Sequence, residues 1–155
     1  MIAIRPATAE DQRVIRDIIL QSLLASYAHF LPASFIDKTI ENDRAGEIAR
    51  NDGIRFAIAE QEAVPAGVML LKENYVDHLW THPNFMGQGV GSALLDHAAQ
   101  VAAKAGHDRL TLDCFEKNVT ALAFYRARGF ALEKTYEAKI LPGENACFLV
   151  KDLRG

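Results

Sequence analysis

The chain has 155 residues, half of them apolar and 24% charged, with a formal net charge of −3. That length and balance fit one globular domain, 1–155, with a substantial core. There is no basic run to attract nucleic acid, no apolar run of membrane-spanning length, and no signal-peptide pattern in Met-Ile-Ala-Ile-Arg-Pro, so a cytoplasmic protein with no nucleic-acid or membrane partner is expected. Ile2 to Arg5 is predicted as a short strand. Thr8 with Asp11 three residues on reads as a capping box. A helix follows to about Tyr27, because Val14, Ile15, Ile18, Ile19, Leu23 and Tyr27 recur at three- and four-residue steps. Pro32 interrupts, Ser34 is placed to cap a second helix through Ile40 to Arg50, and Asn51-Asp52-Gly53 stops it. Three strand signals come next: the alternation of Ile54, Phe56 and Ile58, the apolar run Gly67 to Lys72, and Tyr75 to Thr81.

Met86-Gly87-Gln88-Gly89-Val90-Gly91-Ser92 then joins that last strand to a helix over Ala93 to Ala105, with Leu94, Leu95, Ala98 and Val101 expected inside and Gly106 as terminator. Glycine reaches positive φ and lets backbone approach a ligand. A helix start also offers unsatisfied N–H groups and the positive pole of the macrodipole, so the turn suits a phosphate or pyrophosphate. The spacing G-x-G-x-G is neither the dinucleotide fingerprint nor a P-loop, and by itself it also fits a tight strand-to-helix turn. Beyond it, Leu110, Leu112 and Cys114 alternate in a half-polar strand, Asn118 to Arg128 is a short helix, and Phe130 to Ile140 with Ala146 to Lys151 form a hairpin across Pro142-Gly143. The order is that of a mixed α/β sheet with helices on both faces.

Four stretches resemble the GCN5-related N-acetyltransferase superfamily. They are Ile4-Arg5-Pro6-Ala7-Thr8 with Asp11; Leu79-Trp80-Thr81-His82-Pro83 with Gly87-Gln88-Gly89-Val90-Gly91; Asn118 and Ala121 with Phe124-Tyr125 and Gly129-Phe130; and the final two strands. The resemblance implies a mixed, mostly antiparallel sheet of six to seven strands, splayed between the fourth and fifth. It implies acetyl-CoA as co-substrate and direct attack by a primary amine, with proximity supplying much of the rate. Carried onto this sequence, backbone groups of Leu79, Trp80 and Thr81 hold the pantetheine arm. Met86, Gly87, Gln88, Gly89, Val90, Gly91 and Ser92 hold the diphosphate. Asn118 and Tyr125, seven apart on one helix face, line the thioester end, and Tyr125 protonates the leaving thiolate. Asp77 or His78 deprotonates the ammonium. Tyr27, His29 and Phe30 shape the acceptor pocket. Where the family usually has Arg or Gln, this chain has Met86, and where Lys or Arg is common it has Gln88; Phe85 to Ser92 carries no cation. Lys117, Arg126 and Arg128 are the cations left to help from outside the loop.

Two rivals stand beside this reading. One is a non-catalytic acyl-CoA-binding module of the same fold, which Met86 keeps open. The other is a nucleotide-binding domain with Asp113 as ribose contact. Of the five histidines, His78 and His82 are four apart, a spacing that does not focus both on one ion from a strand, so no metal is expected. Cys114 alternates into a packed face and is expected to be inert rather than an acyl carrier. The acceptor is a small-molecule amine or a peptide or protein amine, and edge pairing of the terminal hairpin leaves a homodimer open.

Overall fold

A computed structural model describes residues 1–154. Seven strands follow the hydrogen-bonded order β1-β2-β3-β4-β5-β7-β6: β1 (Ile2–Pro6), β2 (Ala57–Gln61), β3 (Val64–Lys72), β4 (Tyr75–Thr81), β5 (Arg109–Phe115), β6 (Phe130–Glu137) and β7 (Asn145–Asp152). The pairs β1–β2, β2–β3, β5–β7 and β6–β7 are antiparallel, and β4–β5 is parallel with Tyr75 opposite Thr111. Five helices accompany them among the described residues: α1 (Gln12–Ser26), α2 (Ala33–Glu41), α3 (Arg44–Asp52), α4 (Val90–Lys104) and α5 (Val119–Ala127). None is long and apolar enough to cross a membrane. The chain forms two compact units, one of 1–71 with 78–97 and the other of 72–77 with the residues from 98 onward.

In the first unit, α1 buries Ile15, Ile18, Ile19 and Leu23, the stripe its sequence spacing predicts. That stripe packs with Ile48 of α3 and with Phe56, Ile58, Val68 and Leu70. Side chains alternate along β3, so Gly67 faces the other way, toward Val90 and Leu94 of α4. Helices therefore cover both faces of β3. The predicted capping box is present: Thr8 Oγ1 accepts from Glu10 N–H at 3.3 Å, and Asp11 accepts from Thr8 N–H at 2.8 Å. Asp11 also takes a fork of bonds from Arg5 at 2.9 and 3.0 Å.

Several expectations need correction. The single helix expected through Ile40 to Arg50 is two, because Asp43 turns left-handed at φ 48° and starts α3 afresh, accepting from Gly46 N–H at 3.2 Å. Pro32, not Ser34, stands at the start of α2. Ile54 belongs to a 3-10 turn and is 65% exposed; β2 begins only at Ala57. In α4, Val101 is exposed and Ala102 is buried, completing the stripe of Leu94, Leu95 and Ala98.

The second unit is built on β5, β7 and β6. Leu112 lies opposite Leu149, and Cys114 opposite Cys147. Thr111 is buried along with Leu110 and Leu112, so β5 is covered on both faces rather than half-polar. The strand expected to reach Ile140 ends at Glu137, and beyond Phe130 all of β6 is exposed.

Candidate active site

The glycine turn belongs to the first unit. A 3-10 turn, Pro83–Phe85, leaves β4, and His82 caps it by accepting from Asn84 N–H through Nδ1 at 3.1 Å. His82 N–H is tied to Ala66 O of β3 at 2.8 Å. Gly87 and Gly89 take φ of 76° and 89°, where a side chain is strained, and Gly91 lies in the first turn of α4. The helical ladder begins with Ala93 N–H on Gly89 O at 3.0 Å. The first turn of any helix directs N–H groups that its own carbonyls do not use, at the positive end of the dipole. Met86, Gly87, Gln88 and Gly89 are exposed, so this end is open to a ligand. The Gln88 side chain is turned away to the scaffold: its Nε2 donates to Asn84 O at 3.2 Å and its Oε1 accepts from Gln61 Nε2 at 2.7 Å.

The same unit assembles a string of rings. Tyr27 lies 5.4 Å from Phe30 and 5.3 Å from Trp80. His78 stacks between Trp80 at 6.3 Å and the buried Phe56 at 5.8 Å. Trp80 Nε1–H donates to His78 Nδ1 at 3.1 Å, as their shared strand face allows. The sequence-predicted Tyr27 and Phe30 thus meet β4 through Trp80, while His29 is exposed on the same turn. Leu79, Trp80 and Thr81 are half-buried.

In the second unit, Tyr125 sits edge-on to Phe124 at 5.3 Å and to Phe130 at 5.6 Å. Asn118 is the N-cap of α5, not a residue on its face: its Oδ1 accepts from Ala121 N–H at 3.2 Å. Asp77 is ion-paired with Lys72 at 3.1 Å. Of the outlying cations, Lys117 is held by Glu144 at 3.2 Å, and Arg128 stacks on the Phe124 ring at 3.9 Å. Asp113 accepts from both Tyr75 and Tyr136 at 2.7 Å, which occupies the carboxylate that a ribose would need. Desolvation and the Asp113 bond push the Tyr136 phenol up to about 12. Burial pushes the Cys114 thiol up to about 12, so it is a poor acyl carrier. Among the described residues no group of three or more His, Cys, Asp or Glu is placed to hold a metal.

Three positions escaped the sequence reading. Gln61 and Asn84 brace the turn through side-chain and main-chain amides, and no pattern marks such residues. Gly67 did carry a signal, a glycine inside a strand run, which marks close backbone approach.

Fold and turn together define a mixed α/β protein that presents a glycine-built helix start at the end of a central strand. The chain belongs to the acetyltransferase (GNAT) family, whose sequence model matches residues 18–130. It is 30% identical over 130 residues to the peptidyl-lysine N-acetyltransferase YjaB of Escherichia coli (strain K12), covering 84% of this chain and 82% of that protein. To the protein of the same name from Salmonella typhimurium it is 36% identical over 74 residues, 48% of this chain and just 47% of the other. The solution structure of apo-form YjaB from Escherichia coli matches with a TM-score of 0.78 at 25% identity, covering 97% of each chain. The crystal structure of the PaiA N-acetyltransferase from Thermoplasma acidophilum, in complex with coenzyme A, shares the fold with a TM-score of 0.81 at 20% identity, covering 98% and 99%. Membership of this family sets aside the nucleotide-binding alternative.

Proposed function

We propose that this protein is a cytoplasmic N-acetyltransferase that moves the acetyl group of acetyl-CoA to a primary amine by direct attack. The observation that carries the reading is the exposed turn at Gly87 and Gly89, opening α4 in a chain of the acetyltransferase family. Backbone N–H groups from Gln88 to Ser92 receive the diphosphate, and Met86 and Gly87 border it. Main-chain groups of Leu79, Trp80 and Thr81, at the end of β4, receive the pantetheine arm. Tyr125 delivers a proton to the thiolate as the C–S bond breaks and the C–N bond forms. Asn118 acts beside it by capping the helix that carries Tyr125.

Asp77 is the base assigned to the incoming ammonium, directly or through water. His78 is the weaker candidate, since the lone pair on its Nδ1 faces the Trp80 indole N–H. The acceptor side is taken to include Tyr27, Phe30 and the nearby His29. A peptide lysine is the favoured acceptor, in keeping with the relatives named peptidyl-lysine N-acetyltransferases.

The second reading, an acyl-CoA-binding module without transfer, is favoured by the exposed Met86 in a loop with no cation. Release of free thiol from acetyl-CoA with a panel of amines and blocked lysine peptides, followed by mass spectrometry of the acceptor, separates the two. Transfer to at least one amine is expected; binding of acetyl-CoA with no acetylated product anywhere in the panel supports the module instead. In the active protein, Tyr125→Phe is expected to lower kcat on the order of 100-fold while changing acetyl-CoA affinity little. Unchanged turnover removes Tyr125 from the acid role.

A further inference from the structure

The orientation of the Gln61–Gln88 amide pair is fixed by a third group. Asn84 O is an acceptor only, so Gln88 must turn its NH2 toward it, at 3.2 Å. That leaves Gln88 Oε1 toward Gln61, which must then present its own NH2, at 2.7 Å. The Gln61 Oε1 on the far side is buried and has no hydrogen-bond partner among the described residues. Gln61 ends β2, next to the tight turn in which Glu62 and Ala63 take φ of 50° and 65°. The hairpin tip is thus tied to the glycine turn by one amide bridge. A buried acceptor without a partner lowers stability, and here it accompanies the bridge to Gln88.

We infer that Gln61 is a positioning residue for the cofactor: through Gln88 it holds the glycine turn in the shape that aims its amides at the diphosphate. The turn has no cationic side chain between Phe85 and Ser92, so its grip depends on main-chain N–H groups. Such groups act at hydrogen-bond range and need fixed geometry, whereas a flexible lysine follows its ligand. A neutral bridge supplies that fixity in place of charge. The inference rests on the proposed acetyl-CoA reading for its ligand, but the stiffness of the turn is measurable without any ligand.

The test is Gln61→Met, of similar size but with neither the donor nor the buried orphan oxygen. Three measurements are made on the full chain: thermal unfolding, amide hydrogen exchange of the ligand-free protein over Met86 to Gly89, and calorimetry with acetyl-CoA. The expected result is a Tm at or above wild type, faster exchange in the turn, and an acetyl-CoA Kd raised roughly 3- to 10-fold, with kcat at saturation within about twofold. Gln88→Ala is expected to weaken binding similarly, and the double variant no more than either single. A merely structural Gln61 predicts that Tm and affinity fall together. That pattern, unchanged exchange in the turn, or additive losses in the double variant overturns the inference. If wild type does not bind acetyl-CoA at millimolar concentration, the functional reading has failed, and the exchange measurement alone then decides for or against the brace.

Discussion

Trp80 decides what His78 can do. An indole N–H only donates, so the nitrogen it meets, Nδ1, presents a lone pair, and the proton of a neutral imidazole then sits on Nε2. Proton abstraction needs a lone pair that substrate can reach. His78→Gln keeps a polar amide but cannot act as a base; kcat with a blocked lysine peptide is expected to stay within about threefold, against the 100-fold or greater loss that a catalytic base would show. A second residue-scale consequence concerns acid. The Arg5 fork, opposed in part by desolvation and helped by the Thr8 N–H, holds the Asp11 carboxyl at about 2, below its ordinary value of 3.8. A depressed carboxylate stabilises the fold above its unfolded value and loses that contribution as pH falls through the folded one. Stability on the order of 2 kcal/mol is therefore expected to disappear between about pH 4 and pH 2. Asp11→Asn should lack that acid-dependent loss in urea unfolding followed by circular dichroism; an unchanged pH profile removes the assignment to Asp11.

At the scale of elements, α4 is seated by the absence of a side chain. A Cβ on Gly67 would lie 2.6 Å from Val90 Cγ1 and 3.1 Å from both Leu94 Cδ1 and Trp80 O. Val90 and Leu94 are buried and cannot swing into solvent, so the first turn of α4 has to lift off β3. Gly67→Ala is expected to cost roughly 1–3 kcal/mol in urea unfolding and, because the glycine turn moves with that helix start, to weaken acetyl-CoA binding. Full stability in the variant would show that the helix is not set by this contact. The elements themselves were readable where one local rule governs: β4 is the predicted Tyr75 to Thr81, and α1 carries the predicted stripe. The break between α2 and α3 was not, because Asp43 adopts φ 48° while Arg16 and Arg50 reach it from α1 and α3, at 3.0 and 3.7 Å. Periodicity does not see such tertiary contacts. The candidate site divides in the same way. Gly87, Gly89 and Tyr125 are legible as motif, whereas the bridge from Gln61 and the Trp80–His78 bond come from strand neighbours that pattern alone does not bring together.

For the molecule as a whole, charge opposes the ligand it is proposed to bind. The chain carries a formal net charge of −3, acetyl-CoA is a polyanion, and no cation lies between Phe85 and Ser92. Lys117 and Arg128 are already engaged, with Glu144 and the Phe124 ring. The long-range field of an acidic protein repels an anion and is screened by salt over roughly 10 Å at 0.1 M. Helix-end amides attract only at contact, and hydrogen bonds at that range are far less sensitive to salt. Raising salt from about 0.02 to 0.2 M is therefore expected to leave acetyl-CoA affinity flat or slightly improved, since what is screened is mostly repulsion. Met86→Arg places a cation on an exposed position of the turn. Tighter binding of up to about tenfold at low salt is expected, worth about 1.4 kcal/mol, together with a steep loss as salt rises. Calorimetry of both proteins at the two salt concentrations reads this directly. A wild-type affinity that collapses with added salt would mean that side-chain cations, not the amides of the glycine turn, hold the diphosphate.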